Sequence, residues 1–267
     1  MFAYNGKKNA IPLLVEGLRT LEYRGYDSAG IAAVNEKKEI FLEKATGKVS
    51  NLASKVQKNP HAKDTYQAGI AHTRWATHGK VTLENTHPHV SENERFYVVH
   101  NGIIENYMGI KNILEKKYHF YGDTDSEIIA KLIEDSFDGD LLSTVTTVCE
   151  KMVGAYAIVV MDKENPSTII GAKLGSPMIV GEGDDGVFIA SDINAISHVA
   201  KEFVSLEDGE TVVITDGKKE IYSLGERIIK TSEVIDHNQE MVDKGNFDTF
   251  TEKEIYEIPE VIKNVCK

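Results

Sequence analysis

Two cysteines in 267 residues, Cys149 and Cys266, are too few for a disulfide framework or a thiolate metal cluster. Cys149 sits in DLLSTVTTVCEKMV, where Leu142, Val145, Cys149 and Met152 recur at helical spacing, and it reads as a small buried hydrophobe. Cys266 is penultimate in a polar tail, with no His or Asp nearby in sequence to activate it, so neither thiol reads as a nucleophile. Positive charge is also short: 30 Lys plus Arg face 42 Asp plus Glu, a formal charge of -12, which argues against unfocused binding to nucleic acid or an anionic membrane. No run approaches the ~20 apolar residues of a membrane span. The opening MFAYNGKKNA lacks the apolar stretch and cleavage site of a secretory signal, so a cytoplasmic protein is expected. Neither G-x-x-x-x-G-K-[ST] nor a G-x-G-x-x-G following a strand occurs, and no cofactor is expected.

What is present suits a globular fold, since 41% apolar residues can fill a substantial core. Ile11, Leu14, Leu18 and Leu21 share one helical face behind Asn9 and ahead of Gly25, predicting a capped helix from about 10 to 23. AGIAAV and EIFLEKAT read as strands, VSNLASKVQ as a helix, and YQAGIAH and RFYVVHNGII as strands. Helices follow in ENYMGIKNILEKK, DSEIIAKLIEDSF and the Cys149 segment, the middle one with Thr124 and Glu127 at capping-box spacing. From 155 onward strands dominate: AYAIVVMD, TIIGAK, MIVGEG, GVFIAS, ETVVIT and KEIYSL, the last two joined by a tight turn at Asp216 and Gly217. Helices and hairpins in blocks predict an α+β fold with largely antiparallel sheets, and one domain over residues 1–225. Residues 226–267 are polar and poor in strand pattern, a linker with one short helix near 252–257 that stops before Pro259.

Four stretches concentrate specialised side chains at strand ends and loops, where sites are assembled: YRGYDSAG at 23–30, HTRWATHG at 72–79, HNGIIEN at 100–106 and GDTDSE at 122–127. Arg74 suits a carboxylate through paired hydrogen bonds, and Asp125 suits an ammonium, so together they fit an amino-acid ligand. Asn101 beside Gly102 suits an oxyanion hole built from a side-chain amide and a backbone N–H. Each has a plainer reading: Asn-Gly as a turn, Asp125 as a helix-dipole residue, Trp75 as packing. His72, His78, His87, His89 and His100 crowd into thirty residues, but none forms an i, i+4 pair on a helix, and no metal is expected.

Taken together, LEYRGYDSAG, AHTRWATHG, HPH, VVHNGIIEN, TDSE and GSPMIVG, in this order, resemble the glutaminase half of the glutamine:fructose-6-phosphate amidotransferase family, the glucosamine-6-phosphate synthases. The likeness runs from residue 2 to 264, with KEIYEIPEVIKN resembling the connector into a sugar isomerase domain. It implies an N-terminal-nucleophile hydrolase fold, a four-layer αββα sandwich of two antiparallel sheets between helices. It also implies L-glutamine as substrate, split to L-glutamate and ammonia, with the ammonia passed to fructose 6-phosphate in the isomerase domain.

By the same resemblance, Arg74 grips the α-carboxylate of glutamine, Asp125 its α-ammonium, and Asn101 with Gly102 the oxyanion. Trp75, Thr77 and His78 belong to the loop that closes over glutamine, and Arg24 shapes the surroundings of the nucleophile. The family's nucleophile is an N-terminal cysteine of a Cys-Gly-Ile start, and Met1 falls where the third residue of that start belongs. The 267-residue chain is therefore expected to be inactive as a glutaminase. The alternative is a catalytically dead, glutamine-binding regulatory module.

Overall fold

The strand FAYNG, residues 2–6, organises the molecule because its side chains alternate between two different cores. Phe2 and Tyr4 pack with helical residues Leu14, Leu18 and Leu21, whereas Ala3 packs with Val99 and Val159 of other strands. The computed structural model describes residues 1–76, 79–235, 247 and 250–265. Thr77, His78 and Cys266 lie outside them.

In chain order the elements of the first unit, Met1–Ile235, are β1 Phe2–Gly6, α1 Ala10–Leu21, β2 Ser28–Val34, β3 Ile40–Thr46, α2 Val49–Lys58, β4 Ala68–Arg74, β5 His89–Val90, β6 Phe96–Ile104, α3 Tyr107–Leu114, α4 Glu127–Ser136 and α5 Leu141–Lys151. Strands β7 Gly154–Asp162, β8 Thr168–Leu174, β9 Ile179–Gly183, β10 Gly186–Ala190, β11 Glu202–Ser205, β12 Glu210–Thr215, β13 Lys218–Ser223, β14 Glu226–Ile228 and β15 Glu233–Val234 complete it. They form two sheets, β15-β11-β9-β10-β1-β4-β2-β3 and β14-β13-β12-β8-β7-β6-β5, with every paired strand antiparallel.

Period-two alternation builds the layers. On β6, Tyr97 and Val99 face the first sheet while Phe96 and Val98 face α4 and α5. On β7, Ala157, Val159 and Met161 take the inner face and Tyr156, Ile158 and Val160 the outer. The order is thus α1 and α2, first sheet, second sheet, then α3 to α5, the αββα sandwich of the α+β class. Both faces of β7 are covered, which is why AYAIVVMD reads as an uninterrupted apolar run. A fully buried valine such as Val99 or Val159 stabilises by ~1.5–3 kcal/mol, against ~0.2–1 kcal/mol for one cross-strand pair. The layer contacts therefore outweigh the pairings at the short outer strands.

Several expectations are met: Asn9 Oδ1 accepts from Ile11 N to cap α1, and Asp216 and Gly217, both at positive φ, close the β12–β13 hairpin. Others need correction. The first helix ends at Leu21 and tightens into a 3-10 turn, Glu22–Arg24. The expected capping box does not form at α4. Ser126 precedes the helix, while the Glu127 carboxylate accepts from the N–H groups of Tyr121 and Gly122, because the incoming loop leaves those amides unpaired. The first unit continues past 225 to Ile235, since β14 pairs with β13 and β15 with β11.

In the second unit, Asp236–Lys267, the helix α6 Phe250–Val265 passes through Pro259 rather than stopping before it. A proline forfeits one helical N–H, but Ile255, Ile258 and Ile262 keep the helical period on both sides of it. Among the described residues no helix is long and apolar enough to cross a membrane.

Candidate functional site

The strands that carry the sequence motifs end at one cavity of ≈ 430 Å³. The first sheet supplies Met1 ahead of β1, His72 and Arg74 at the end of β4, then Trp75; the second supplies His100, Asn101 and Gly102 from β6. Thr124, Asp125 and Ser126 enter from the turn before α4, Arg24 from the 3-10 turn, and Ser191 from beyond β10. Arg24, Arg74, Trp75, Asn101, Gly102 and Asp125 thus line one pocket, although they are scattered over a hundred residues of chain.

Arg74 is 5% exposed; its guanidinium donates to the carbonyls of Lys80 (3.0 Å) and Gly79 (3.3 Å), so the loop beyond β4 folds back over it. Burial pulls its pKa below the ordinary value, opposed by the carboxylates of Asp27, Asp123 and Asp125. Asp125, 4% exposed, accepts from the N–H of Ile104 at 2.8 Å and from Thr124 Oγ1 at 3.3 Å. One buried positive and one buried negative side chain therefore face the same space.

Asn101 sits opposite Ala157 and Gly102 opposite Tyr156 in the β6–β7 ladder. Gly102 has φ +128°, and a Cβ there would overlap the carbonyl oxygen of Ala155. Gly102→Ala is therefore expected to cost ~1–3 kcal/mol in urea unfolding, and an unchanged midpoint would show that this backbone is not strained. Trp75 is 56% exposed and tilts against Tyr26, ring centroids 5.6 Å apart, at the pocket mouth. Asp27 secures the same corner by accepting from Ala76 N at 2.8 Å.

Arg24 pairs with Asp192 at 2.6 Å, and Tyr23 donates to the same carboxylate oxygen at 2.7 Å. Beside them Met1 is fixed by Ser191, whose N–H donates to the Met1 carbonyl (3.2 Å) and whose Oγ accepts from the Met1 nitrogen (2.9 Å).

Four histidines are buried together at the pocket, three of which, His72, His87 and His100, line it. His72 stacks on His87 (centroids 4.1 Å, 24°), which meets His89 edge-on at 4.6 Å. His72 Nε2 lies 2.8 Å from Asn101 Oδ1, and His100 Nδ1 lies 2.8 Å from Ser126 Oγ. Burial lowers the pKa of all four, well below the ordinary range for His72, His87 and His89 and to about 4 for His100. Among the described residues no group of three or more His, Cys, Asp and Glu side chains is arranged to hold a metal. Cys149 packs at the edge of the helical core against Tyr156, and burial pushes its thiol up to about 11.

Sequence reasoning missed His72, His100, Ser126 and Ser191 as site residues. His72 and His100 were visible only as members of a histidine-rich stretch, and no local signal marks Ser191.

Known proteins resemble the chain on the same terms. The family profile described as "Glutamine amidotransferase domain" matches residues 72–198. The glutamine–fructose-6-phosphate aminotransferase (isomerizing) of Clostridium acetobutylicum is 43% identical over 263 residues, covering 98% of this chain and 43% of that protein. Among solved structures, the glutamine phosphoribosylpyrophosphate amidotransferase of B. subtilis superposes with a TM-score of 0.70 at 25% identity, over 89% of this chain and 49% of that one. A glutamine aminotransferase class-II domain protein of Silicibacter pomeroyi shares the fold at a TM-score of 0.58 and 14% identity, over 84% of this chain and 99% of its own.

Sandwich, pocket and profile together define a class II glutamine amidotransferase domain with the N-terminal-nucleophile hydrolase fold. Within that class, the chain is similar to the glutamine–fructose-6-phosphate aminotransferases (isomerizing), at 43% identity to those of both Clostridium acetobutylicum and Aquifex aeolicus. The chain spans less than half the length of the curated relatives it matches.

Proposed function

We propose that the pocket binds L-glutamine as a glutaminase site, with Arg74 holding the α-carboxylate, Asp125 the α-ammonium, and Asn101 with Gly102 facing the amide carbon's oxygen. The observation that carries this reading is the pairing of buried Arg74 and Asp125, opposite in charge, on one cavity with an amide and a glycine beside it. A free amino acid presents this pair of charges at its α-carbon, and both are recognised most strongly where water is displaced. Trp75, beside Tyr26, closes over the substrate and keeps water from the reacting amide; Thr77 and His78, assigned by the resemblance to the same role, lie outside the described residues. Arg24, anchored on Asp192, shapes the wall beside Met1.

Joined to a sugar isomerase domain, Met1–Ile235 would act as the amidotransferase domain and Asp236–Lys267 as the lead into that partner domain. There the released ammonia meets fructose 6-phosphate to form glucosamine 6-phosphate, in the cytoplasm. This use of the domain involves neither nucleic acid nor membrane. Calorimetry tests the pocket directly. Arg74→Ala is expected to weaken L-glutamate binding by ~30- to 1,000-fold, the loss usual when a charged pair in a closed site is broken. Arg74→Lys should recover only part of it, because an ammonium lacks the planar fork. Unchanged affinity in the alanine variant would sink the assignment.

A further inference from the structure

We propose that His72 is a positioning residue that decides which end of the Asn101 amide faces the pocket. The inference rests on the reading of Asn101 as a hydrogen-bond donor to the oxyanion. An asparagine side chain ends in two groups of nearly equal size, an oxygen that only accepts and an NH2 that only donates. Only the NH2 stabilises a developing negative charge. Strand β6 delivers the side chain to the pocket, but a strand cannot choose between two orientations related by a half-turn of the last torsion.

His72 supplies that choice from the other sheet. Its Nε2 lies 2.8 Å from Asn101 Oδ1, a contact that spans the sandwich between β4 and β6. The oxygen requires a donor, so Nε2 carries the proton and the Asn101 NH2 is left for the pocket that Asn101 lines. With the amide reversed, Nε2 would have to accept, and a neutral ring would then carry its proton on Nδ1. That atom is buried and has no hydrogen-bond partner among the described residues. An unpaired buried donor forfeits its hydration without return, whereas a bare ring nitrogen at the same place loses only an acceptor.

The surroundings hold the ring in place. It stacks on His87, whose Nδ1 accepts from the backbone N–H of His100 at 3.2 Å, so the His87 proton sits on its own Nε2. His100 is tied in turn to Ser126. Complete burial keeps His72 neutral, so Nδ1 stays bare. His72 acts through its hydrogen bond to Asn101, and its role is to orient that amide.

Two measurements test this. In the 267-residue chain, nitrogen-resolved NMR of the histidine rings should show His72 protonated on Nε2 and bare on Nδ1. Asn101→Ala should shift that Nε2–H away from its hydrogen-bonded position. In the chain extended by a Cys-Gly-Ile start in place of Met1, His72→Leu should lower kcat for glutamine by ~100-fold, the scale of losing one oxyanion donor, with KM and glutamate affinity within about twofold. His72→Gln, whose amide can donate to the same oxygen, should recover most of the loss. A proton found on Nδ1, or a leucine variant that keeps its kcat, overturns the proposal. So does a folded leucine variant that loses glutamate binding together with turnover, which marks a merely structural role. An extended chain that never hydrolyses glutamine counts against the glutaminase reading instead, and the NMR result still decides the role of His72.

Discussion

Replacing Met1 by Cys-Gly-Ile ahead of Phe2, with the initiator methionine removed, is expected to raise glutamate release from L-glutamine by ~10⁴-fold or more over the 267-residue chain, since removal of a covalent nucleophile costs losses on this scale. Acyl transfer from an amide needs a strong nucleophile, and none of the described residues lining the pocket is a cysteine. Cys149, its thiol held neutral, belongs to the outer helical core. The start of the chain is well placed to supply the thiol. Phe2 pairs with Ala71 on one side and Ala190 on the other, and Met1 is fastened by Ser191, so any residue added there begins from a fixed point on the pocket wall. Two residues reach ~7 Å at strand spacing, toward the cavity that Asn101 and Gly102 line. The isoleucine would take over the buried aliphatic position of Met1, 2% exposed and packed between the sheets. Cys→Ser at the new start should return activity close to that of the unextended chain. An extended protein that binds glutamate but stays inactive would show that Asn101 and Gly102 do not form the oxyanion hole.

The candidate site was legible in sequence because its chemistry is concentrated in short motifs: Arg74 closes β4, Asn101 and Gly102 lie near the end of β6, Asp125 stands in the turn before α4, and the fold carries each to one cavity. What remained hidden depends on pairings distant in sequence. The His72–Asn101 contact joins two sheets, and Met1 meets Ser191 across nearly the whole domain; no spacing rule connects such residues. The long strands were read correctly because an alternating or continuous apolar run survives averaging over many positions. Short ones were lost. FAYNG ends in Asn-Gly, a turn signal, yet forms β1 because it lies between β10 and β4 with both faces buried. β5 and β15 are only two residues long and exist by virtue of their neighbours. At α4, Thr124 and Glu127 have capping-box spacing, but the loop supplied Glu127 with other amides. There tertiary demand overrode a sound local rule.

Acidification should unfold the domain earlier than its exposed carboxylates alone would require. His72, His87, His89 and His100 are each held below their ordinary pKa, first by burial, and positive neighbours including Arg74 add to the effect at His87 and His89. The sign follows from where the protons go. Above the ordinary value of 6.5 these rings are neutral in both states, and their packing is fully retained. As pH falls through 6.5 the unfolded chain takes up protons while the native rings stay neutral down to their own lower values, about 4 for His100. Each such ring costs ~1.4 kcal/mol of stability per pH unit over that interval. Four rings together reach ~5 kcal/mol per unit, a large share of the ~5–15 kcal/mol that holds a domain folded. Thermal unfolding followed at pH 7.5, 6.5, 5.5 and 5.0 should therefore show a Tm level above 6.5 and lower by at least ~10 °C at pH 5.0. His89→Leu removes one of the four, at a ring whose Nε2 has no hydrogen-bond partner among the described residues, and should flatten the slope by about a quarter whatever it does to the Tm at neutral pH. A Tm that stays level down to pH 5.0, or a His89→Leu variant with an undiminished slope, would mean that these histidines are already charged in the native state.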